Sequence, residues 1–234
     1  MPKLDILAFG AHPDDVELGC SGTLLSHIEQ GKKAGIVDLT RGELGTRGTA
    51  ETRDEEAAKA SEILGITFRK NLKMADGFFT NDKEHQLKIV EVIRETQPEI
   101  VLCNATTDRH PDHGRAARLV TDAAFLAGLV KVDTGQKPFR PNNIYHYMQD
   151  RLIKPDIVVD ISNHFEQKME SIMAYGTQFY NPDSKEADTY ISSADFLAFL
   201  KARMHEMGHL IGVKYGEGFS VQRTVGVDSL FDLK

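Results

Sequence analysis

Short apolar runs alternate with longer amphipathic stretches along most of the chain, the pattern left when buried parallel strands are covered by crossover helices. Leu4 to Phe9 reads as a first buried strand, followed by a helix starting near Pro13 and carrying Leu18, Leu24, Leu25 and Ile28 as far as Gly31. Gly35 to Leu39 predicts a second strand. Glu51 to Leu64 predicts a helix, charged on one face and Ala-rich on the other, that stops at Gly65. Ile66 to Met74 follows as a third strand. Lys83 to Glu95 places Leu87, Val90 and Ile93 at helical spacing before Pro98, and Ile100 to Cys103 is the next short buried run. His113 to Leu129 reads as helix, Ile144 to Met148 and Ile157 to Ile161 as strands, and two last helices fall near Phe165 to Tyr175 and Ser193 to Met207. The succession predicts an α/β fold, a Rossmann-like, mostly parallel sheet flanked by helices, as a single domain over residues 1–234. Such sheets bind ligands beyond the carboxyl ends of their strands.

Composition narrows the partners. With 35 acidic residues against 28 basic ones the formal charge is −7, and no run of Lys or Arg builds a basic patch, so nucleic acid is not an expected partner. The apolar start is too short for a signal segment and no stretch is long enough to span a bilayer, which predicts a cytoplasmic protein with no membrane association. Cys20 and Cys103 stand far apart without C-x-x-C spacing and read as buried reduced thiols.

The chemistry concentrates in two His-Pro-Asp turns. Gly10-Ala11-His12-Pro13-Asp14-Asp15-Val16-Glu17 follows the first strand, and Asp108-Arg109-His110-Pro111-Asp112-His113 follows the Ile100 strand. At this chain's residue frequencies one such triplet arises by chance about 2 per cent of the time, and two well under about 0.1 per cent. Pro suits the first position of a helix, so each turn is expected to cap one, with His12 and Asp15, and His110 and His113, sharing a face. Two imidazoles and a carboxylate suit a zinc ion, which lowers the pKa of a water ligand from about 15.7 to about 7. One of Asp14 and Asp15 is assigned to the metal and the other to a general base. Helical spacing favours Asp15 as ligand. His205-Glu206-Met207-Gly208-His209 is a rival, matching the H-E-x-x-H pattern of zinc proteases. Tyr215 stands where the extended pattern needs a third His, so an exposed end of the last helix is the plainer reading. A non-catalytic sugar binder on the same sheet is a third reading. A dinucleotide site is disfavoured because Gly10-Ala11-His12 replaces the glycine-rich turn.

These motifs resemble those of the LmbE-like, or PIG-L, family of zinc-dependent sugar N-deacetylases, whose hallmarks are A-H-P-D-D-x-E and H-P-D-H. The likeness extends to Arg41-Gly42-Glu43 with Gly45, to Arg53 with Glu56, to Ala75-Asp76-Gly77 and to Tyr215-Gly216-Glu217-Gly218-Phe219. Tyr175 departs from it, standing where many members carry His. The chain is most similar to the deacetylases of bacillithiol biosynthesis, which act on N-acetylglucosaminyl malate. The resemblance implies zinc, or another divalent transition metal, on His12, Asp15 and His113, with Asp14 as base and His110 supporting the oxyanion. Asp14 or His110 would protonate the leaving amine, and Asp112 would hold His110 in its charged form. Arg53 and Arg109 become candidates for the malate carboxylates, and Asp76 for the sugar hydroxyls. Arg41, Arg47 and the nearby glycines suggest a mobile loop beside the crevice. The resemblance also implies a homo-oligomer, a hexamer in many members. N-acetylglucosamine or its oligomers are the alternative substrates.

Overall fold

The computed structural model describes residues 2–233. One seven-stranded sheet runs through the molecule. In chain order its elements are β1 (Ile6–Gly10), α1 (Asp15–Glu29), β2 (Ala34–Thr40), α2 (Ala50–Leu64), β3 (Phe68–Met74), α3 (Lys83–Thr96) and β4 (Ile100–Cys103). They continue with α4 (Pro111–Ala127), β5 (Asn143–Tyr147), β6 (Ile157–Asp160), α5 (Phe165–Met173), α6 (Ala194–Leu210) and β7 (Gly216–Val221). The strand order is β3-β2-β1-β4-β5-β7-β6. The first five strands pair in parallel, while β7 is antiparallel to both β5 and β6.

Alternation along β1 explains the layering. Leu7 and Phe9 face α3 and α4, joining Val90, Ile93, Leu119 and Val120 in one core. Ile6 and Ala8 face the other way, toward Val16, Cys20 and Leu24 of α1. A third apolar cluster lies beyond α1, where α2, α5 and α6 meet through Ala60, Ile172, Phe179 and Leu200. Burial on both faces accounts for the near-continuous apolar runs that marked these strands.

Two expectations need correction. The first helix begins at Asp15, so Pro13 lies outside it, and Asp14 at its N-cap is left-handed with φ 112°. In the second turn the expected arrangement is present: Pro111 opens α4 and His110 caps it. Strand β7 had no counterpart in the periodicity analysis, because its glycines lower strand propensity and interrupt the apolar pattern. Among the described residues no helix is long and apolar enough to cross a membrane.

Candidate active site

The chain runs outward from β1 through β2 to β3, then returns to lay β4 on the other side of β1. The loops leaving β1 and β4 therefore part at a topological switch point, where an open α/β sheet has its crevice. The two His-Pro-Asp turns occupy these loops. His12, His110 and His113 come together there, with ring centroids 4.7, 5.8 and 5.2 Å apart for the His12–His110, His12–His113 and His110–His113 pairs.

Asp15 stands between two of the imidazoles. Its Oδ1 is 3.2 Å from His113 Nε2 and its Oδ2 is 3.5 Å from His12 Nδ1. Each Asp15 oxygen thus faces one imidazole, which puts one carboxylate between two nitrogen donors of the kind zinc takes. Each histidine's other nitrogen meets a carboxylate. His113 Nδ1 is 2.6 Å from Asp108 Oδ2, while His12 Nε2 lies 3.1 Å from Asp76 Oδ1 and 3.4 Å from Asp112 Oδ2. Such partners orient imidazole ligands and raise their basicity. Asp15 also accepts from Asn104 Nδ2 at 3.0 Å and from Gln149 Nε2. Among the described residues the groups whose donor atoms all lie within 4.8 Å of one another are His12 with His110 and His113, and His12 with Asp76 and Asp112; Asp15 belongs to neither.

Electrostatics follow from this packing. Desolvation opposes charge on His113, but Asp15 and Asp108 outweigh it and raise the pKa to about 9. Desolvation likewise works against the Asp15 charge and is overcome by His113 and His12, which hold its carboxyl well below the ordinary range. Burial pushes Asp14 up to about 7 against the pull of Arg53. The Asp14 turn is clamped from outside: Arg53 Nη1 donates to Pro13 O at 2.7 Å and lies 3.3 Å from Asp14 Oδ2, while Nη2 donates to Gln178 Oε1 at 2.8 Å. A left-handed aspartate costs about 1–3 kcal/mol and persists only where its surroundings impose it.

Several expected roles change. Asp112 does not hold His110 through its carboxylate. Its Oδ2 accepts from Gly77 N–H at 2.9 Å and its Oδ1 from Arg115, and only its backbone N–H reaches His110, donating to Nδ1 at 3.3 Å. With Nδ1 accepting, the ring proton of neutral His110 sits on Nε2. Burial, followed by the neighbouring His12 and His113, lowers the His110 pKa, so the expected charged form is not favoured. Both Asp76 oxygens are engaged, by His12 and by Leu44 N–H at 3.0 Å. Arg53 spends both terminal nitrogens within the protein, whereas Arg109 is half exposed, 3.4 Å from Asp150, with its guanidinium over the Tyr190 ring. The loop from Arg41 to Gly48 is pinned at Leu44, at Arg47 O by Gln178 Nε2 (2.7 Å) and at Gly48 N–H by Glu186 Oε1 (2.8 Å).

Apart from Asp112, every metal, catalytic and substrate residue expected from the sequence borders one cavity of about 370 Å³, which Thr189, Tyr190, Phe196 and Arg203 also line. Tyr175 is elsewhere, hydrogen-bonded to Arg69 and Glu17. His205, Glu206 and His209 lie on the exposed side of α6, and neither histidine belongs to a metal-capable group among the described residues. Sequence reasoning missed Asp108, Asn104 and Gln149 as parts of the site. Asp108 sits inside the second motif, but its contact with His113 follows the fold of the turn and obeys no helical spacing.

Known proteins resemble this chain in sequence and in fold. A family described as PIG-L, GlcNAc-PI de-N-acetylase, matches residues 7–124. A diacetylchitobiose deacetylase of Thermococcus kodakarensis is 30% identical over 189 residues, 74% of this chain and 70% of that protein. A 4-oxalmesaconate hydratase of Pseudomonas putida is 27% identical, covering 76% and 75% of the respective chains. A probable N-acetyl-alpha-D-glucosaminyl L-malate deacetylase 2 of Bacillus anthracis is 23% identical over 74% of this chain and 81% of its own. Among solved structures, the conserved protein TT1542 of Thermus thermophilus superposes with a TM-score of 0.87 at 38% identity, covering 96% of this chain and 98% of that one. The N,N'-diacetylchitobiose deacetylase of Pyrococcus horikoshii reaches 0.80 at 25% identity, over 93% and 83%.

Proposed function

Because the chain belongs to the PIG-L family of de-N-acetylases, we propose that it hydrolyses the acetamide of an N-acetylglucosaminide, releasing acetate and the free amine, with zinc as the metal. The observation that carries this reading is the meeting of His12, Asp15 and His113 at the switch point, each imidazole backed by a carboxylate, beside the strained Asp14.

His12, Asp15 and His113 would hold the ion, which when bound supplies Lewis acidity toward the acetyl carbonyl and acidifies water. Asp14 accepts the proton of the attacking water, its carboxylate kept in place by Arg53 and by the left-handed turn. His110 donates Nε2–H to the oxyanion of the tetrahedral intermediate, since Asp112 N–H occupies Nδ1. Protonated Asp14 then delivers its proton to the departing amine. Asp76 and Asp108 fix the two imidazoles and take no part in proton transfer.

N-acetylglucosaminyl malate is the proposed substrate, supported by the motif resemblance, by the Bacillus anthracis relative and by Arg109 at the rim. Similarity to the diacetylchitobiose deacetylase supports a second reading, an N-acetylglucosamine oligomer. Acetate release across a panel of N-acetylglucosaminides tests both, with turnover fastest on the malate glycoside as the expected result. In the same assay Asp14→Asn should lower kcat by about 10²–10⁴-fold while metal content is retained. Acetate release undiminished in that variant removes Asp14 as the base.

A further inference from the structure

Arg203 lines the cavity and has no task in the proposed chemistry. It lies on the inner side of α6 and is 8% exposed. Its Nη1 is buried with no hydrogen-bond partner, and among the described residues the guanidinium makes no hydrogen bond or ion pair at all, resting only on the Phe199 ring at 5.1 Å. Thr189 Oγ1, which also borders the cavity, is likewise buried and unpartnered. A buried cation lacking a partner is costly to fold, and native proteins tolerate one chiefly where a ligand completes it.

The charges around it define that ligand. Asp150, Asp108 and Tyr190 are the acidic groups that act on Arg203. Asp150 is already paired with Arg109, and Asp108 with His113. Neither carboxylate makes a hydrogen bond or ion pair with the Arg203 guanidinium, whose fork is left open toward the cavity. A guanidinium fork matches a carboxylate in shape as well as in charge.

We propose that Arg203, assisted by the Thr189 hydroxyl, anchors one carboxylate of the sugar's aglycone in this cavity. Arg203 is then a specificity-determining residue. This rests on the deacetylase reading and assigns the residue that would select a carboxylate-bearing aglycone.

The test compares three glycosides of N-acetylglucosamine: one with a carboxylate-bearing aglycone, its methyl ester, and N-acetylglucosamine 1-phosphate. For the wild type, kcat/KM is expected to be about 10- to 100-fold higher for the acid than for the ester, through KM more than kcat. In Arg203→Met that preference should collapse, and Arg203→Lys should restore part of it. Equal wild-type rates on acid and ester would overturn the proposal without any variant having to fold. Preference for the phosphate over the carboxylate overturns it as well. Should the wild type release no acetate from any glycoside, the deacetylase reading fails. The subsite then stands if the acid, but not the ester, raises the Tm of the wild type and not of Arg203→Met, and it falls if neither does.

Discussion

Asp108 precedes His113 by five residues, and its Oδ2 lies 2.6 Å from His113 Nδ1 while Oδ1 accepts the backbone N–H of Arg151 at 2.7 Å. The carboxylate therefore fixes the imidazole and ties it to the loop after β5. Asp108→Asn keeps the volume and removes the charge. It should weaken metal affinity by about 10- to 100-fold, measured by competition with a chromophoric chelator, with the far-UV spectrum unchanged. Unaltered affinity would show that the contact is only a turn constraint. His12, Asp15 and His113 were legible because rare residue types recur in a short motif. Asp108, Asn104 and Gln149 were not, since Asn or Gln beside a carboxylate leaves no local pattern. Asp112 shows the opposite error: its nearness to His110 in sequence suggested a side-chain contact, whereas the helix start turns its carboxylate toward His12 and Gly77.

At the scale of elements, motif residues outside the cavity prove to hold helices and strands together. Glu217 of β7 accepts from Gly22 and Thr23 N–H of α1 at 3.0 and 2.7 Å, and meets Lys168 Nζ of α5 at 2.8 Å. Lys168 also donates to the carbonyls of Glu17 and Leu18, and Glu17 in turn pairs with Arg69 of β3 at 2.7 Å. All four side chains are buried or nearly so. Removing one partner strands a charge in the interior. Lys168→Met should therefore destabilise the fold by about 3–5 kcal/mol in urea unfolding; a loss below about 1 kcal/mol would mean that water reaches Glu217. The same strand explains the missed element. A Cβ at Gly216 would run into Val158 and into the backbone of Met207 and Gly208, so close approach of β6 and α6 demands glycine where strand propensity would ask for valine. Gly19 of α1 has the same cause, since a Cβ there would land on the Tyr147 ring.

Across the whole molecule, acid stability should carry the mark of a histidine that does not line the cavity. His146 on β5 is buried and neutral, with Nδ1–H donating to Asn104 O at 2.9 Å and Nε2 accepting from Gln222 at 3.0 Å. Burial lowers its pKa below 6.5. The unfolded chain then binds the proton first, so stability is full above about pH 6.5 and is lost as pH falls toward the lowered native value, by at most about 1.4 kcal/mol per pH unit. His146→Gln should flatten that limb in urea unfolding between about pH 7.5 and pH 5. An unchanged slope would place the titration elsewhere.

The order of strands and helices up to α6, the two His-Pro-Asp turns and the net negative charge were determined by the sequence alone, because apolar period, proline placement and net charge are local or additive properties. Tertiary structure decided the rest: the place of β7 between β5 and β6, the left-handed Asp14 under the Arg53 clamp, the neutral tautomer of His110, and the unpartnered guanidinium of Arg203. Each depends on which distant residues meet, and pairings between residues far apart in the chain leave no trace in its spacing.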